Sequence, residues 1–390
     1  MVAWDLEPDQ RALAEWARER AAQDLLPLVE AGEPGVVNRP LLRAMGDLGL
    51  LARLFPGFGP AAPKSSDDGV LSREAAAFDL CLLREALARE STEAETALAL
   101  QGLGAYPVLQ SGTETQVRTW LPRVASGEAV AAFALTEPEA GSDAAALSLR
   151  AERDGDGWRL TGTKMWISNA PQADVYTVFA RTTPGAGARG VSGFVVPGDR
   201  AGVSGQSLDL LSPHPIGRLE LDGVRVSADE LLGEPDRGFA VAMRTLDLFR
   251  PSVGAFAVGM AQAALDASVR HARGRVAFGL PLAQQQSVAH RLAEMATRTQ
   301  SARLLVYQAA AAYDAGRIGV STRAAMAKLA ATETAQWVVD SAVQIHGARA
   351  LERGHLLEHL YREVRAPRIY EGASEVQLGI IARELLREGD

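Results

Sequence analysis

Cysteine is almost missing. Cys81 stands alone in 390 residues, so no disulfide can close within the chain, and a lone thiol of this kind is expected to act as a small core hydrophobe in a reducing compartment. Positive charge is also in deficit, with 40 lysines and arginines against 48 acids for a net charge of −8. With no basic cluster there is no local field to hold phosphates, which sets nucleic-acid binding aside. Long apolar runs are lacking too. None approaches the ~20 residues of a membrane span, so no transmembrane segment is expected. The start, MVAWDLEPDQRALAEWARER, has no basic n-region or unbroken apolar stretch, and its early acids do not suit a transit peptide, so a cytoplasmic location is expected.

What is present is a globular composition, 47% hydrophobic and 23% charged, with length enough for two or three domains. From Leu6 to about Gly127 apolar residues recur at helical spacing, as in DQRALAEWARERAAQDLLPLVE and RPLLRAMGDLGLLARL, around a Pro/Gly/Ser loop, PGFGPAAPKSSDDG. From about Ala129 to Leu232 the pattern becomes short β-rich runs: AVAAFALTE, LSLRAERDG, WRLTGTKMWIS, VYTVFART, VSGFVVPG and GRLELDGVRV. Turn clusters divide them, and DGDG at Asp154 to Gly157 is a hairpin signal. An antiparallel sheet or barrel is expected there. After Arg237 four amphipathic helical stretches return, the last from Glu375, and short connections between them predict a bundle. The fold class is therefore α+β multidomain, with a helical N-terminal domain over 1–128, an antiparallel β middle domain over 129–235 and a C-terminal four-helix bundle over 236–390.

Two motifs invite a function and fail to carry one. GAGARG, Gly185 to Gly190, has dinucleotide-fingerprint spacing, but a strand (VSGFVV) follows it where the fingerprint needs a helix N-terminus for the pyrophosphate. A hairpin loop is the better reading. HLLEH, His355 to His359, has the spacing of a zinc-binding helix, yet no second acidic motif stands out as its partner, and a polar helix face accounts for it.

Three stretches pose a sharper question. In RIYEGASE, Glu371 sits between Tyr370 and Gly372, and a carboxylate in apolar company is costly unless something uses or satisfies it. FALTEPEAGSD (Phe133 to Asp143) and GTKMWISNA (Gly162 to Ala170) each place hydroxyls and small residues at a strand end, the second beside a tryptophan that can lie on a flat ring. Backbone amides and hydroxyls so placed can reach the polar edge of a flavin. Either stretch alone reads as an ordinary turn or a core tryptophan; the pair points to a cofactor site.

With these motifs the chain resembles the acyl-CoA dehydrogenase family over nearly its whole length. The likeness extends to RVAFGLPLAQQQ (Arg275 to Gln286), QIHG (Gln344 to Gly347) and RIYEGASEVQ (Arg368 to Gln377), in the family's order and spacing. The resemblance implies three domains, a homotetramer built as a dimer of dimers, FAD as cofactor and a role in fatty-acid metabolism. It implies that Phe133, Leu135, Thr136, Gly141, Ser142, Trp166 and Ser168 line the isoalloxazine and phosphates. Arg275, Gln286, Gln344 and Gly347 would serve the ADP half of FAD, some of them from a neighbouring subunit. Ser142, Asp247, Arg250 and Gly372 fall near the thioester and its pantetheine arm. Glu371 matches the catalytic base; one branch carries its base where this chain has Phe249, which cannot accept a proton.

The implied reaction is α,β-dehydrogenation of an acyl thioester, acyl-CoA to trans-2-enoyl-CoA, with Glu371 abstracting the α proton and hydride passing to flavin N5. A glutamate in an apolar, closed site has a raised pKa and becomes a stronger base. The resemblance assigns the enolate oxygen to the Glu371 backbone N–H and a ribityl hydroxyl. An electron-transfer flavoprotein is the implied electron acceptor. The alternatives are a flavin oxidase or monooxygenase, an acyl-carrier-protein-linked dehydrogenase, or a non-catalytic scaffold. This chain departs from the family pattern at Ala348 and Ala350, where glycines are usual, and at Ala373, where threonine is usual, so weaker FAD retention is expected. It also departs at LLSPHPIG (Leu210 to Gly217), which opens the question of CoA against a carrier protein.

Overall fold

The structure, a computed structural model, describes residues 6–58, 76–212 and 214–387. The PGFGPAAPKSSDDG loop lies outside the described residues from position 59 on, as does Pro213 within LLSPHPIG.

Helices form in the N-terminal third where the sequence caps them. They are α1 (Pro8–Arg20), α2 (Leu26–Glu30), α3 (Arg39–Asp47), α4 (Ala77–Glu90), α5 (Thr92–Ser111) and α6 (Glu114–Ala125). Asn38 Oδ1 accepts from Leu41 N at 3.0 Å, and Thr113 and Gln116 close a reciprocal capping box at α6. Such caps satisfy N–H groups that the helix itself leaves without partners. Eight strands follow: β1 (Ala131–Ala134), β2 (Arg150–Asp154), β3 (Gly157–Ser168), β4 (Val175–Arg181), β5 (Val191–Pro197), β6 (Val203–Ser207), β7 (Ile216–Val226) and β8 (Leu231–Leu232). Then come α7 (Gly238–Gly274), the small hairpin β9 (Val276–Ala277) and β10 (Leu280–Pro281), α8 (Gln286–Asp314), α9 (Val320–His346), α10 (Leu356–Glu363) and α11 (Ser374–Leu385).

The described residues gather into two compact units, neither of which is one run of sequence. The first holds α1, α4, the opening of α5 through Glu95, and everything from Asp247 onward; the second holds α2, α3, α5 from Thr96, α6, β1 to β8 and α7 up to Leu246.

In the second unit the sheet runs in the order β6-β7-β3-β2-β4-β5-β8, with β1 beside β4. The DGDG hairpin forms as expected, with Asp154 opposite Gly157. GAGARG likewise sits in the loop joining antiparallel β4 and β5. The sheet is nonetheless mixed where antiparallel pairing was expected. β1 pairs parallel with β4 from Ala131↔Val175 to Ala134↔Val178, and β2 meets β4 in parallel at Arg150↔Arg181. The chain leaves β1, makes the β2–β3 hairpin and re-enters β4 in β1's direction, the long crossover that parallel pairing requires. α5 fixes β1 in place: Gln101 takes Ala131 N and donates to the Ala129 carbonyl, both at 2.8 Å. A Cβ on Gly104 would lie 2.6 Å from the backbone of Ala131 and Ala132, so only glycine permits this approach.

In the first unit α10 and α11 lie on α9, α8 packs along α9, and α4 lies against α8 with α1 outside it. α7 joins through small residues, since a Cβ at Gly254 would meet Val306 of α8 at 2.7 Å and one at Gly259 the Glu85 carbonyl of α4 at 2.5 Å. The expected four-helix bundle thus gains short α10 and helices from the N-terminal third. The expectation about apolar runs needs correction: α7 is long and apolar enough to cross a membrane by length and composition. Of its most apolar stretch 78% is buried within the protein, as a core helix requires.

Candidate active site

Glu371 and Gly372 form a tight link between a 3₁₀ turn (Ala366–Arg368) and Ala373, the residue before α11. Glu371 has φ of 52° and Gly372 of 95°. For a residue with a Cβ the left-handed region costs about 1–2 kcal/mol, so something must hold it. Three buried side chains do. Gln377 Nε2 donates to the carbonyls of Glu371 (3.3 Å) and Gly372 (2.8 Å). Arg250 Nε donates to the Glu371 carbonyl at 3.4 Å and Lys328 Nζ to the Gly372 carbonyl at 2.8 Å. Hydrogen bonds from charged donors contribute roughly 1.5–3 kcal/mol each, enough to offset the strain.

Although Glu371 is partly exposed as a residue, its Oε2 is buried and has no hydrogen-bond partner. Burial pushes its pKa up, and the charges of Arg84, Lys328 and Arg250 pull against that shift. Two of these cations have carboxylates of their own. Arg84, 3% exposed, is paired with fully buried Glu95 and donates from Nη1 to Ser252 Oγ at 2.7 Å, while Ser252 donates to the Phe249 carbonyl at 2.7 Å. Arg250 pairs with Asp247 at 3.2 Å, and Asp247 also accepts from Ser321 at 2.8 Å. Burial pushes the Asp247 carboxyl up as well.

In the second unit the two strand-end motifs are bolted together by a buried ion pair. Lys164, wholly buried on β3, donates to Glu137 Oε1 at 2.9 Å and to the Leu135 carbonyl at 2.8 Å. Glu137 also accepts from Ser148 N, Ser148 Oγ and Leu149 N at 2.6, 2.9 and 2.9 Å. Every oxygen of this carboxylate is satisfied. Lys164 and its charge-assisted bonds hold the Glu137 carboxyl below the usual range against the cost of burial, and burial draws Lys164 itself down to about 8. Met165 N adds a bond to the Thr136 carbonyl at 3.0 Å.

Period-two alternation along β3 would send Trp166 to the same side as Lys164. A register shift between Lys164 and Ile167 breaks that alternation, and Trp166 adopts φ of 56° and emerges 49% exposed. A bulge that re-aims one aromatic ring beside a rigid turn makes a platform for a flat group. Phe133, Thr136 and Ser168 are half-buried nearby in sequence, Leu135 is buried, and Gly141 and Ser142 are exposed, with open space where a Gly141 Cβ would stand. These features fit a flavin.

Arg275, Gln286, Gln344 and Gly347 are all exposed and lie at the ends of α7, α8 and α9. α7 rises about 36 Å from Arg250 to its end beside Arg275, so within one chain this group is not brought to Glu371. The zinc-like spacing does not converge on one point: His355 Nδ1 accepts from Leu357 N, whereas His359 Nε2 lies 2.6 Å from Thr92 Oγ1.

Three family profiles match in succession: "Acyl-CoA dehydrogenase, N-terminal domain" over residues 7–128, "middle domain" over 132–224 and "C-terminal domain" over 236–386. A cyclohexane-1-carbonyl-CoA dehydrogenase of Geobacter metallireducens is 35% identical, with 97% of each chain covered. This chain belongs to the acyl-CoA dehydrogenase family. The butyryl-CoA dehydrogenase structure from Megasphaera elsdenii superposes with a TM-score of 0.90 at 33% identity, covering 99% of this chain and 100% of that one. A glutaryl-CoA dehydrogenase from Mycobacterium smegmatis, solved with FADH2, gives 0.88 at 27% identity, covering 99% and 96%.

In this acyl-CoA dehydrogenase no local sequence signal singles out Lys328, Arg84 or Gln377 as partners of the Glu371 link, or marks the Lys164–Glu137 bolt as a pair. Both residues of the bolt nonetheless fall inside the two strand-end motifs. Ser374, beside the departure at Ala373, donates its hydroxyl to Glu333 at 2.7 Å, and Ala350 is buried in the core.

Proposed function

We propose that the protein dehydrogenates an acyl thioester, converting an acyl-CoA to its trans-2-enoyl-CoA, with Glu371 as the base. The observation that carries this reading is the buried, partnerless Oε2 on a residue held in a strained conformation: the carbonyls of Glu371 and Gly372 are both tied down, and the carboxylate oxygen without a partner is a proton acceptor. Glu371 takes the proton from the α carbon, and the electron pair of that C–H bond becomes the second bond between Cα and Cβ as the β carbon loses its hydrogen with its electrons. FAD, the cofactor, supplies the two-electron acceptor for that loss when bound. Trp166, Ser168, Phe133, Leu135, Thr136, Gly141 and Ser142 would hold its ring and phosphates. Arg275, Gln286, Gln344 and Gly347 would serve the ADP portion of FAD, some of them on another copy, which calls for an oligomer; the family resemblance makes that a homotetramer.

Burial pushes the Glu371 carboxyl up, which strengthens it as a base, and the charges of Arg84, Lys328 and Arg250 oppose that shift. Asp247 and Arg250 would orient the thioester arm, and an electron-transfer flavoprotein would re-oxidise the enzyme. The test is anaerobic bleaching of the purified flavoprotein by a panel of acyl-CoAs. Glu371→Gln should keep fold and FAD but slow bleaching by on the order of 10²–10⁴ fold. Glu375→Gln is the internal control, because an exposed acid in the first turn of α11 contributes only about 0.3–1 kcal/mol through the helix dipole. A native rate for Glu371→Gln would remove it from the mechanism.

A further inference from the structure

Lys328 sits on α9 in the stretch AAMAKLAATETA, wholly buried. A buried ammonium ordinarily has a carboxylate partner. Among the described residues Lys328 has none within ion-pair distance, and its bond goes to the Gly372 carbonyl at 2.8 Å.

We propose that Lys328 is a positioning residue for the base: its ammonium grips the Gly372 carbonyl and so fixes the Glu371–Gly372 link, and among the described residues it supplies the one positive charge facing the Glu371 carboxylate that is not paired with another carboxylate. The inference rests on the reading of Glu371 as base. The charges facing Glu371 are Arg84 from α4, Arg250 from α7 and Lys328 from α9. Arg84 is spent on Glu95 and Arg250 on Asp247. The charges facing Lys328 are Glu371, Arg250, Glu333 and Glu375. Glu333 is engaged by Arg368 at 2.9 Å and Ser374 at 2.7 Å, and Glu375 is exposed to solvent. Glu371 is thus the carboxylate left to balance Lys328, and Lys328 the cation left to balance Glu371. Burial draws the ammonium pKa down to about 8, so it stays mostly charged at neutral pH.

Removing this charge leaves the carboxylate buried with less compensation, so its protonation moves to higher pH and a smaller fraction is a competent base near neutrality. A purely structural lysine would change the rate without moving that titration. The experiment is the rate of anaerobic flavin reduction by an acyl-CoA against pH for the native holoenzyme, Lys328→Gln, Lys328→Arg and Glu371→Gln, with flavin absorbance and circular dichroism reporting FAD content and fold. Lys328→Gln should slow reduction at neutral pH about 10- to 100-fold, the range of a displaced catalytic group, and shift the acid limb upward. Lys328→Arg keeps the charge and should keep the acid limb in place at a lower plateau. A folded Lys328→Gln protein whose acid limb stays put overturns the proposal while leaving Glu371 as base. A native rate in Glu371→Gln overturns both together. Should Lys328→Gln fail to fold, an acid limb displaced in Lys328→Arg overturns the proposal by itself.

Discussion

Each compact unit contains a buried lysine beside a glutamate, and the two arrangements do opposite things. In the second unit Lys164 and Glu137 touch at 2.9 Å, Glu137 has donors on both oxygens, and its pKa is held down. In the first, Lys328 bonds to a carbonyl, Glu371 keeps an empty oxygen, and its pKa is pushed up. The difference is a matter of donors. A carboxylate whose lone pairs are filled is a fastener between two motifs, whereas one whose backbone is held and whose oxygen is left bare has the form of the base proposed above, held ready at a cost in stability.

The comparison breaks most visibly if the fastener loses its cation. Lys164→Met leaves Glu137 charged and unpaired inside the sheet, and breaking a buried pair this way should cost about 3–5 kcal/mol, read by urea unfolding. Pairing it with Glu137→Gln should restore part of that loss. An unchanged midpoint for the single variant would show that the three other donors suffice for Glu137.

A smaller effect is expected at Gly372. An alanine there would adopt φ of 95° and bring its Cβ to 2.4 Å from Gln377 Nε2, the atom that ties both carbonyls. Gly372→Ala should cost roughly 1–3 kcal/mol and slow flavin reduction as well, because the link that aims Glu371 must move. Loss of stability with a native rate would show that the base tolerates a shifted link.

The smallest effect is on alkaline stability. Lys164 and Lys328 titrate near 8 in the fold against an ordinary 10.5, so between these values the unfolded chain binds more protons and stability rises with pH. Cys81 and the buried tyrosines act in the opposite sense. Burial raises the Cys81 thiol above its ordinary 9.0 and Tyr176 from 10.0 to about 12, so ionisation favours the unfolded chain from about pH 9 upward. Unfolding free energy should therefore climb from pH 7.5 to about 9 and then turn over, and the climb should be shallower in Lys164→Met. A monotonic fall across that range would contradict the burial of both lysines.

Much of this architecture was legible in the order of residues. Helical periodicity marks α1, α3 and α7 to α9, and the DGDG turn marks β2 and β3, because these are signals between neighbours in sequence. The strand-end motifs and Glu371 stood out for the same reason: turn glycines, hydroxyls and an acid within a few positions of each other. Local patterns do not reach β6, whose VSGQS is polar and mostly exposed, or β8, which is two residues long. Nor do they show that β1 lies parallel to β4, since that depends on a crossover of some forty residues.

The sequence by itself determined the long helices, the principal strands, and where a carboxylate, a tryptophan and a pair of small-residue turns would cluster along the chain. Only tertiary structure decided what those groups became. Trp166 faces outward because a bulge against β7 reverses the alternation that β3 would otherwise impose. Lys328, among alanines on a long helix, reads as a surface residue until Gly372, 44 positions away, is brought to its ammonium. The cations around Glu371 come from α4, α7 and α9, and a charge's effect falls with distance through space rather than along the chain, so the state of that carboxylate is a property of the packed helices alone.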